Sequence, residues 1–206
     1  MMVVEGSVIE RADACLIVGD GGREKRLFKI VAEAYNHSKT VLQPMLPTLE
    51  KIGRPGLNGI AKALAVLVSR QRVGDYVYLV LIDLEYVESV DDVEAKLREY
   101  GFEVLETEAL GEGCYRLRVK RGAKYATVYM AVFGDNKCRS IEAHIVKVVQ
   151  ELYGEELECD KKSIQRWLKR RGIKDSELIQ EAMQKRLISR IFPQLIAILQ
   201  QLAKDS

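Results

Sequence analysis

The sequence predicts an α/β protein in which a mostly parallel central sheet is flanked by helices and followed by a C-terminal helical extension. Residues 77–82 are unbroken apolar residues, which is typical of a central parallel strand covered on both faces. Residues 15–18 form another apolar run that leads through a glycine-rich turn into a segment of helical period, as at the start of a βαβ unit. From Ser140 onward, the apolar residues recur with helical spacing.

The first half of the chain contains two strands that are each followed by a helix. Residues 1–13 are short and mixed and favour a small lead-in strand. After the strand at 15–18, a helix is indicated by apolar residues at three- and four-residue steps: Leu27, Phe28, Val31, Ala34 and Tyr35. A strand is predicted at 40–42, a long surface loop rich in proline and glycine at 43–58, and a helix at 57–70.

The second half begins with the strand at 77–85 and ends in helices. Ser89 is a suitable N-cap for a helix that stops at Gly101. Strands are predicted at 102–105, 115–120 and 125–133, the last two as a hairpin, and helices at 140–153, 161–171, 176–191 and 194–203. We therefore expect an α/β domain at residues 1–138 and a helical extension, packed on it, at residues 139–206.

Composition narrows the classes of function. A net charge of +2 provides no global basic field, so any contact with nucleic acid must come from local clusters. The four cysteines, Cys15, Cys114, Cys138 and Cys159, form no C-x-x-C pair, which argues against a zinc site or a disulfide framework and favours reduced thiols. No signal-peptide pattern and no apolar window of about 18 residues occurs, so we expect a cytoplasmic protein without membrane segments.

Three carboxylates are predicted at the ends of neighbouring strands. Asp83 and Glu85 lie two positions apart at the end of the 77–85 strand, which would place both side chains on one face. Asp20 follows the strand at 15–18. Ligands bind beyond the carboxyl ends of parallel strands, and sets of oxygen ligands suit Mg²⁺ or Mn²⁺. The sequence therefore predicts a metal site formed by Asp20, Asp83 and Glu85, suited to orient a phosphodiester.

The glycine-rich turn at residues 19–22 has two interpretations. Glycine permits a phosphate to approach the backbone closely, and the amides of the following helix favour an anion. On this interpretation, the phosphate-binding residues are Gly21, Gly22, Arg23 and Lys25. The turn fits neither G-x-G-x-x-G nor G-x-x-x-x-G-K-[ST], and a tight strand-to-helix turn that needs glycine for positive φ is the alternative.

Four short motifs occur in an order that is typical of one family. They are an acidic residue and glycine after a strand (Asp20-Gly21), Glu-Lys-Arg-Leu-Phe in the next helix, D-x-E at 83–85, and Ser-Ile-Glu-Ala-His at 140–144. Over residues 14–148 the chain resembles a Toprim domain, the Rossmann-like metal-binding module of type IA and type II topoisomerases, bacterial primases and OLD-type nucleases. It is most similar to small stand-alone Toprim-like proteins. The resemblance implies Mg²⁺-dependent phosphodiester chemistry, with Asp20 and Glu142 as catalytic residues.

The chain also departs from the Toprim pattern. Asp20 stands where the family has glutamate, with Glu24 as a second candidate, and the glycine of D-x-D-x-x-G is replaced by Glu88. Two hypotheses therefore stay open. One is a nuclease-type enzyme that uses Mg²⁺ or Mn²⁺. The other is a non-catalytic Toprim-like protein that binds nucleic acid or a protein partner.

The segment at 161–174 contains seven basic residues and no acidic one. Arg166, Lys169 and Arg170 are predicted to contact the phosphates of DNA or RNA. The alternative is a solvated helix whose Trp167 packs in the core.

Two features of the C-terminal half are predicted to be structural. His144 is expected to be a surface or half-buried helix residue rather than a metal ligand. In the terminal stretch from Leu187 to Leu202, the apolar residues cover more of the helix surface than the single narrow stripe of an ordinary amphipathic helix. It should pack against the same chain, with a homodimer through the C-terminal helices as the alternative.

Overall fold

The computed structural model describes residues 1–6, 12–19, 22–35, 38–44, 56–72 and 75–204, which form a sheet between two layers of helices. The strands are β1 (Met2–Gly6), β2 (Ala14–Val18), β3 (Thr40–Pro44), β4 (Asp75–Asp83), β5 (Glu103–Gly111), β6 (Cys114–Arg121) and β7 (Lys124–Phe133). The helices are α1 (Gly22–Ala34), α2 (Leu57–Arg70), α3 (Val90–Glu99), α4 (Glu142–Tyr153), α5 (Lys161–Arg171), α6 (Asp175–Gln184), α7 (Ile188–Ile191) and α8 (Pro193–Lys204).

The sheet has the strand order β1-β3-β2-β4-β7-β6-β5. The strands from β1 to β7 in this order are parallel, while β6 runs antiparallel to both β7 and β5. The prediction of a mostly parallel sheet is therefore confirmed. β4 lies in its centre and pairs with β2 on one side and with β7 on the other, which explains why its apolar run is unbroken.

Each face of the sheet has its own apolar core. On one face, Tyr78, Val80 and Ile82 of β4 pack with α2 and α3. On the other face, Leu79 and Leu81 pack with α1 and with the C-terminal helices. The alternation follows from the two-residue period of a strand. The predicted C-terminal helices are present and cover this second face, whereas the domain boundary at residue 138 stays a prediction.

Two predicted elements differ from those observed. β5 continues to Gly111 instead of ending at Leu105, since its exposed glutamates pair across the sheet rather than forming an apolar pattern; Glu106 lies 3.1 Å from Arg116. The helix predicted at 176–191 is interrupted between α6 and α7, where Arg186 adopts a left-handed φ of 57°. Hydrophobic periodicity reveals neither the charge pairing that extends β5 nor the backbone reversal at Arg186 that interrupts the helix, which accounts for the two errors.

The boundaries near the first helices are only partly within the described chain. Residues 45–55, the greater part of the predicted loop, lie outside the described residues, and α2 begins at Leu57 as predicted. The Ser89 cap is confirmed, because its side chain accepts a hydrogen bond from the Asp92 amide at 3.3 Å. Within the described ranges, none of the helices combines the length and apolarity that a membrane crossing requires.

Candidate functional site

A cleft of about 280 Å³ lies beyond the carboxyl end of β4. The predicted site residues that line it are Gly22, Arg23, Asp83, Glu85 and Glu142. They share it with Glu24, Ser140, Ile141, Cys159, Asp160 and Lys161. The cleft forms where the central strand ends, where α1 begins, and where the loops before α4 and α5 meet. This position agrees with the general rule for ligand sites of α/β sheets.

Asp83 is the most deeply buried carboxylate of the cleft. It is the last residue of β4, its exposed fraction is 4%, and its Oδ1 accepts a hydrogen bond from the Ile141 amide at 2.8 Å. Burial, followed by the negative charge of Glu24, raises the pKa of Asp83 to about 8, although the Ile141 hydrogen bond acts in the opposite direction. Glu142 and Glu85 add to the increase. A nearby cation would therefore favour the ionised form of Asp83.

Glu85 lines the cleft from a different element than predicted. β4 ends at Asp83, and Glu85 is an exposed residue of a 3₁₀ turn at Leu84–Tyr86, so the prediction that both carboxylates share one strand face is wrong. The reason is a tertiary contact. The Glu85 amide donates to the Arg139 carbonyl at 2.8 Å, and Arg139 Nη2 donates to the Leu84 carbonyl at 3.0 Å. These bonds turn the chain out of the sheet.

Glu142 is held by the guanidinium group of Arg23. Arg23 Nη1 lies 2.5 Å from Glu142 Oε1, and Nη2 lies 3.4 Å from Asp175 Oδ1. The side chains of Arg23 and Glu142 are only 9% and 14% exposed. The Nε hydrogen of Arg23 has no acceptor among the described residues. Arg23 thus joins the start of α1 to the starts of α4 and α6 and supplies a buried positive charge beside the cleft.

Glu24 brings a further carboxylate to the cleft from the first turn of α1. Its exposed fraction is 5%, and an acidic residue is favourable at a helix N-terminus. Asp20 and Gly21 precede this helix but lie outside the described residues, so their predicted roles stay predictions. In the described part of the chain, no group of three or more His, Cys, Asp or Glu side chains is arranged to hold a metal ion.

The predicted phosphate-binding residues are only partly brought together. Gly22 and Arg23 line the cleft, whereas Lys25 does not, and its Nζ lies 3.4 Å from Glu5 Oε1 at the end of β1. A helical step of two residues separates Arg23 from Lys25 by about half a turn, which accounts for their different directions. The position of Lys25 favours an ion pair with β1.

The basic helix α5 starts at the cleft and leads away from it. Its N-cap Asp160 accepts hydrogen bonds from the Lys162 and Ser163 amides at 2.8 and 3.0 Å, which places Lys161 at the cleft. Ile164, Trp167 and Leu168 are buried against the core. The predicted nucleic-acid contacts Arg166, Lys169 and Arg170 are exposed on the outer side, where Arg170 pairs with Glu155 at 2.8 Å.

His144 has a structural environment and is more buried than predicted. It is 6% exposed, and its Nδ1 lies 2.6 Å from the Ile191 carbonyl while Nε2 accepts from the Gly134 amide at 3.2 Å. Burial lowers the pKa of His144 to about 4, so the ring is neutral at pH 7. Helical periodicity could not reveal this burial, because α7 and α8 close over the ring only in the folded chain.

The prediction of reduced thiols is wrong for one pair of cysteines. Cys138 and Cys159 form a disulfide with a Cα–Cα distance of 6.1 Å, across a sequence separation of 21 residues that no short motif could indicate. Cys15 and Cys114 are free and buried, and burial raises the pKa of each thiol to about 12. Cys159 also lines the cleft, so the disulfide belongs to the site.

Four other residues that line the cleft were not predicted as site residues. Ser140 and Ile141 belong to the Ser-Ile-Glu-Ala motif, Lys161 begins the basic run, and Asp160 directly precedes it. Their proximity to β4 depends on the tertiary structure, which no local sequence pattern encodes.

Comparison of the chain with protein-family models, with curated proteins and with solved structures gives no match.

Proposed function

We propose that the cleft binds Mg²⁺ or Mn²⁺ and serves phosphodiester cleavage or phosphoryl transfer on nucleic acid. The observation that carries the proposal is the buried carboxyl group of Asp83, which has no ion-pair partner among the described residues. Four carboxylates, Glu24, Asp83, Glu85 and Glu142, share the cleft with two cationic side chains, those of Arg23 and Lys161. The carboxylate of Asp160 is already engaged as the cap of α5. A divalent cation beside Asp83 would favour its ionised form, and hard oxygen ligands are those that Mg²⁺ prefers.

The resemblance to the Toprim module has support from the strand order. β2 and β4 are neighbours, so a residue that follows β2 and a residue that ends β4 belong to the same sheet edge. This is the relation that the resemblance requires of Asp20 and Asp83. We include Asp20 among the proposed cation ligands, together with Asp83, Glu85 and Glu24.

The other residues of the cleft have roles that follow from their charge and position. A bound divalent cation would stabilise the negative charge that develops on the phosphodiester. Lys161 and Arg23, which both line the cleft, attract the phosphate. Glu142, fixed by Arg23, is the carboxylate that accepts a proton from the attacking hydroxyl or water.

Nucleic acid is the proposed substrate because α5 extends the positive charge of the cleft. Lys161 lines the cleft, and Lys162, Arg166 and Lys169 continue along the exposed side of the same helix. Among the described residues, none of these four side chains forms an ion pair within 4.0 Å. A row of such cations contacts successive phosphates without reading bases.

Titration with Mn²⁺ and cleavage assays test the proposal together. Calorimetry should detect Mn²⁺ binding to the wild type and a loss of at least about tenfold in affinity for Asp83→Asn, which keeps the acceptor for Ile141. Glu33→Gln, on the exposed side of α1, is the control. DNA, RNA and nucleotides are then incubated with Mg²⁺ or Mn²⁺. Cleavage that does not exceed that of Asp83→Asn rejects the catalytic proposal.

A non-catalytic binding protein is the second candidate, favoured by the ion pair between Arg23 and Glu142. That pair occupies the proposed general base with a buried cation of the protein itself. On this alternative, α5 alone retains nucleic acid. Retention would then fall when Arg166, Lys169 and Arg170 are neutralised, and it would be unchanged in Asp83→Asn with or without Mn²⁺.

A further inference from the structure

The disulfide between Cys138 and Cys159 joins two segments that form the cleft. Cys138 belongs to the loop between β7 and α4, and Cys159 directly precedes Asp160 and Lys161. The closed segment contains the whole of α4, including Glu142. One covalent bond thus connects the loop that borders Asp83 with the start of the basic helix α5.

The loop that follows Cys138 holds the end of β4 through three hydrogen bonds. The Arg139 carbonyl accepts from the Glu85 amide at 2.8 Å, and Arg139 Nη2 donates to the Leu84 carbonyl at 3.0 Å. The Ile141 amide donates to Asp83 Oδ1 at 2.8 Å. A constraint on Cys138 therefore acts on the groups that position both Asp83 and Glu85.

The segment on the Cys159 side positions positive charge. Asp160 caps α5 and Lys161 lines the cleft, so the disulfide restrains the backbone at this lysine relative to the loop that borders Asp83. The Cys138 side is itself fixed by Asp135, whose Oδ1 accepts from the Cys138 amide at 3.0 Å. When the disulfide is absent, the residues between Gly154 and Asp160 are connected to this anchored loop only through the polypeptide chain of α4.

The two pairs of cysteines differ in their access to solvent. Cys159 is exposed and Cys138 is partly exposed, so reagents can reach the disulfide. Cys15 and Cys114 are about 1% and 0% exposed and lie in the core. Thiol exchange requires an accessible thiolate, which excludes the buried pair. Disulfides that form in a reducing compartment, such as the cytoplasm predicted from the sequence, are typically transient and redox-sensing.

We propose that Cys138 and Cys159 are a thiol–disulfide switch that regulates the cleft, an inference that rests on the proposed cation-binding function. In the oxidised protein, the loop at 138–141 and the start of α5 are held together, and the cleft is organised for a cation and a phosphate. In the reduced protein, the Lys161 side is released from the loop. The loop that positions Asp83 and Glu85 also loses its constraint, and cation affinity is then lower.

A small-molecule disulfide is the oxidant that converts the two thiols of Cys138 and Cys159 into the protein disulfide. The Cys159 thiolate, the more exposed of the two, attacks one sulfur of the oxidant, whose S–S bond breaks to release one thiolate. The Cys138 thiolate then attacks the Cys159 sulfur, which forms the protein disulfide and releases the second thiolate. The two protons from the cysteines pass to the released thiolates. The protein loses two electrons, and the oxidant is reduced to two thiols.

The test compares the reduced and the oxidised form of the 206-residue chain. Alkylation under native conditions, followed by mass spectrometry, should label Cys138 and Cys159 only after reduction and should leave Cys15 and Cys114 unlabelled. Calorimetry should show that the oxidised protein binds Mn²⁺ about tenfold more tightly, the size expected for losing support behind a metal ligand. Amide exchange of residues 138–142 should be slower in the oxidised form. Cys159→Ser should match the reduced protein under both conditions.

The outcomes separate this inference from the function on which it rests. Equal Mn²⁺ affinity in the two forms overturns the switch and leaves cation binding standing. Failure of glutathione disulfide to oxidise the pair overturns the switch as well. If neither form binds Mn²⁺, the proposed function and its regulation are both overturned. Unequal amide exchange would then show that the disulfide still orders the loop.

Discussion

The two ends of β4 carry an aspartate each, and they differ in how the charge is balanced. Asp75 begins the strand, its side chain is 53% exposed, and its Oδ2 lies 2.5 Å from Arg118 Nη2. Asp83 ends the strand at 4% exposure and is held by the Ile141 amide. Among the described residues, no cation forms an ion pair with Asp83. Asp75 and Asp83 are separated by an even number of positions along β4, which places their side chains on the same face of the strand. Their different exposure and charge pairing therefore come from the residues around them.

The two grooves beside these aspartates differ in size and in the pairing of their charges. The groove beside Asp75 measures about 420 Å³, against about 280 Å³ for the cleft beside Asp83. The charges in the larger groove are paired, since Arg118 contacts Asp75 and Arg116 lies 3.1 Å from Glu106. Exposed ion pairs of this kind contribute little to the free energy of unfolding. A buried carboxyl group such as that of Asp83, which has no ion-pair partner among the described residues, is the stronger indication of function.

The largest expected effect is the pH dependence of stability that Asp83 produces. Its pKa is raised from 3.8 to about 8, so the folded protein keeps a proton that the unfolded chain has released. The stabilisation is complete below about pH 4 and is lost as the pH rises through about 8. Without divalent cations, the contribution of Asp83 to the free energy of unfolding should fall by roughly 5 kcal/mol across this window. The difference between the wild type and Asp83→Asn isolates it from the opposite contribution of His144, whose pKa is lowered to about 4. Urea unfolding in EDTA, with the disulfide intact, measures it.

Two variants sharpen this test. Asp83→Asn should remove most of the decrease toward high pH, because the amide does not ionise. Asp75→Asn, at the other end of the same strand, should keep the wild-type dependence. Added Mn²⁺ should restore stability at pH 8 in the wild type and in Asp75→Asn, but not in Asp83→Asn. A dependence that is the same in all three proteins would contradict the assignment of the titration to Asp83.

The next largest effect concerns Arg23, the buried cation beside the cleft. Arg23→Gln leaves Glu142 and Asp175 without their shared positive charge, and breaking a buried pair costs about 3–5 kcal/mol. Arg118→Gln removes the matching cation at the other end of β4, where an exposed pair is worth about 1 kcal/mol or less. Chemical unfolding at pH 7 compares them. Equal decreases in the free energy of unfolding would show that the buried position of Arg23 does not strengthen its contribution to stability.

The fold was largely predictable because its signals are local. The unbroken apolar run at 77–82 defines the central strand, and the change from the 15–18 run to helical spacing around Leu27 and Phe28 defines the first βαβ unit. Ser89 marks the start of α3 by its own hydrogen bond. Each of these signals depends only on residues that are close in the sequence, so the element can be predicted without knowledge of the tertiary structure.

The site was predictable only in part because its geometry depends on distant residues. Asp83, Glu85 and Glu142 are recognisable as carboxylates near strand or helix ends. The amide of Ile141 and the disulfide partner of Cys138 are not recognisable, since they depend on how the loop before α4 packs on β4. The same contact turns Glu85 out of the strand. Tertiary packing thus decided every feature of the cleft that the sequence did not indicate.

The smallest expected effect separates the cations of α5 from those beside Asp75. If nucleic acid follows α5 from the cleft, Arg166→Gln should lower the slope of log affinity against log salt by about 0.7 to 0.9, the value for one lost phosphate contact. Arg116→Gln should leave the slope unchanged, because Arg116 is paired with Glu106 and Glu108 on the sheet. Fluorescence anisotropy with a labelled oligonucleotide at several salt concentrations measures both. A slope that changes only in Arg116→Gln would move the proposed path of the nucleic acid to the Asp75 end of the sheet.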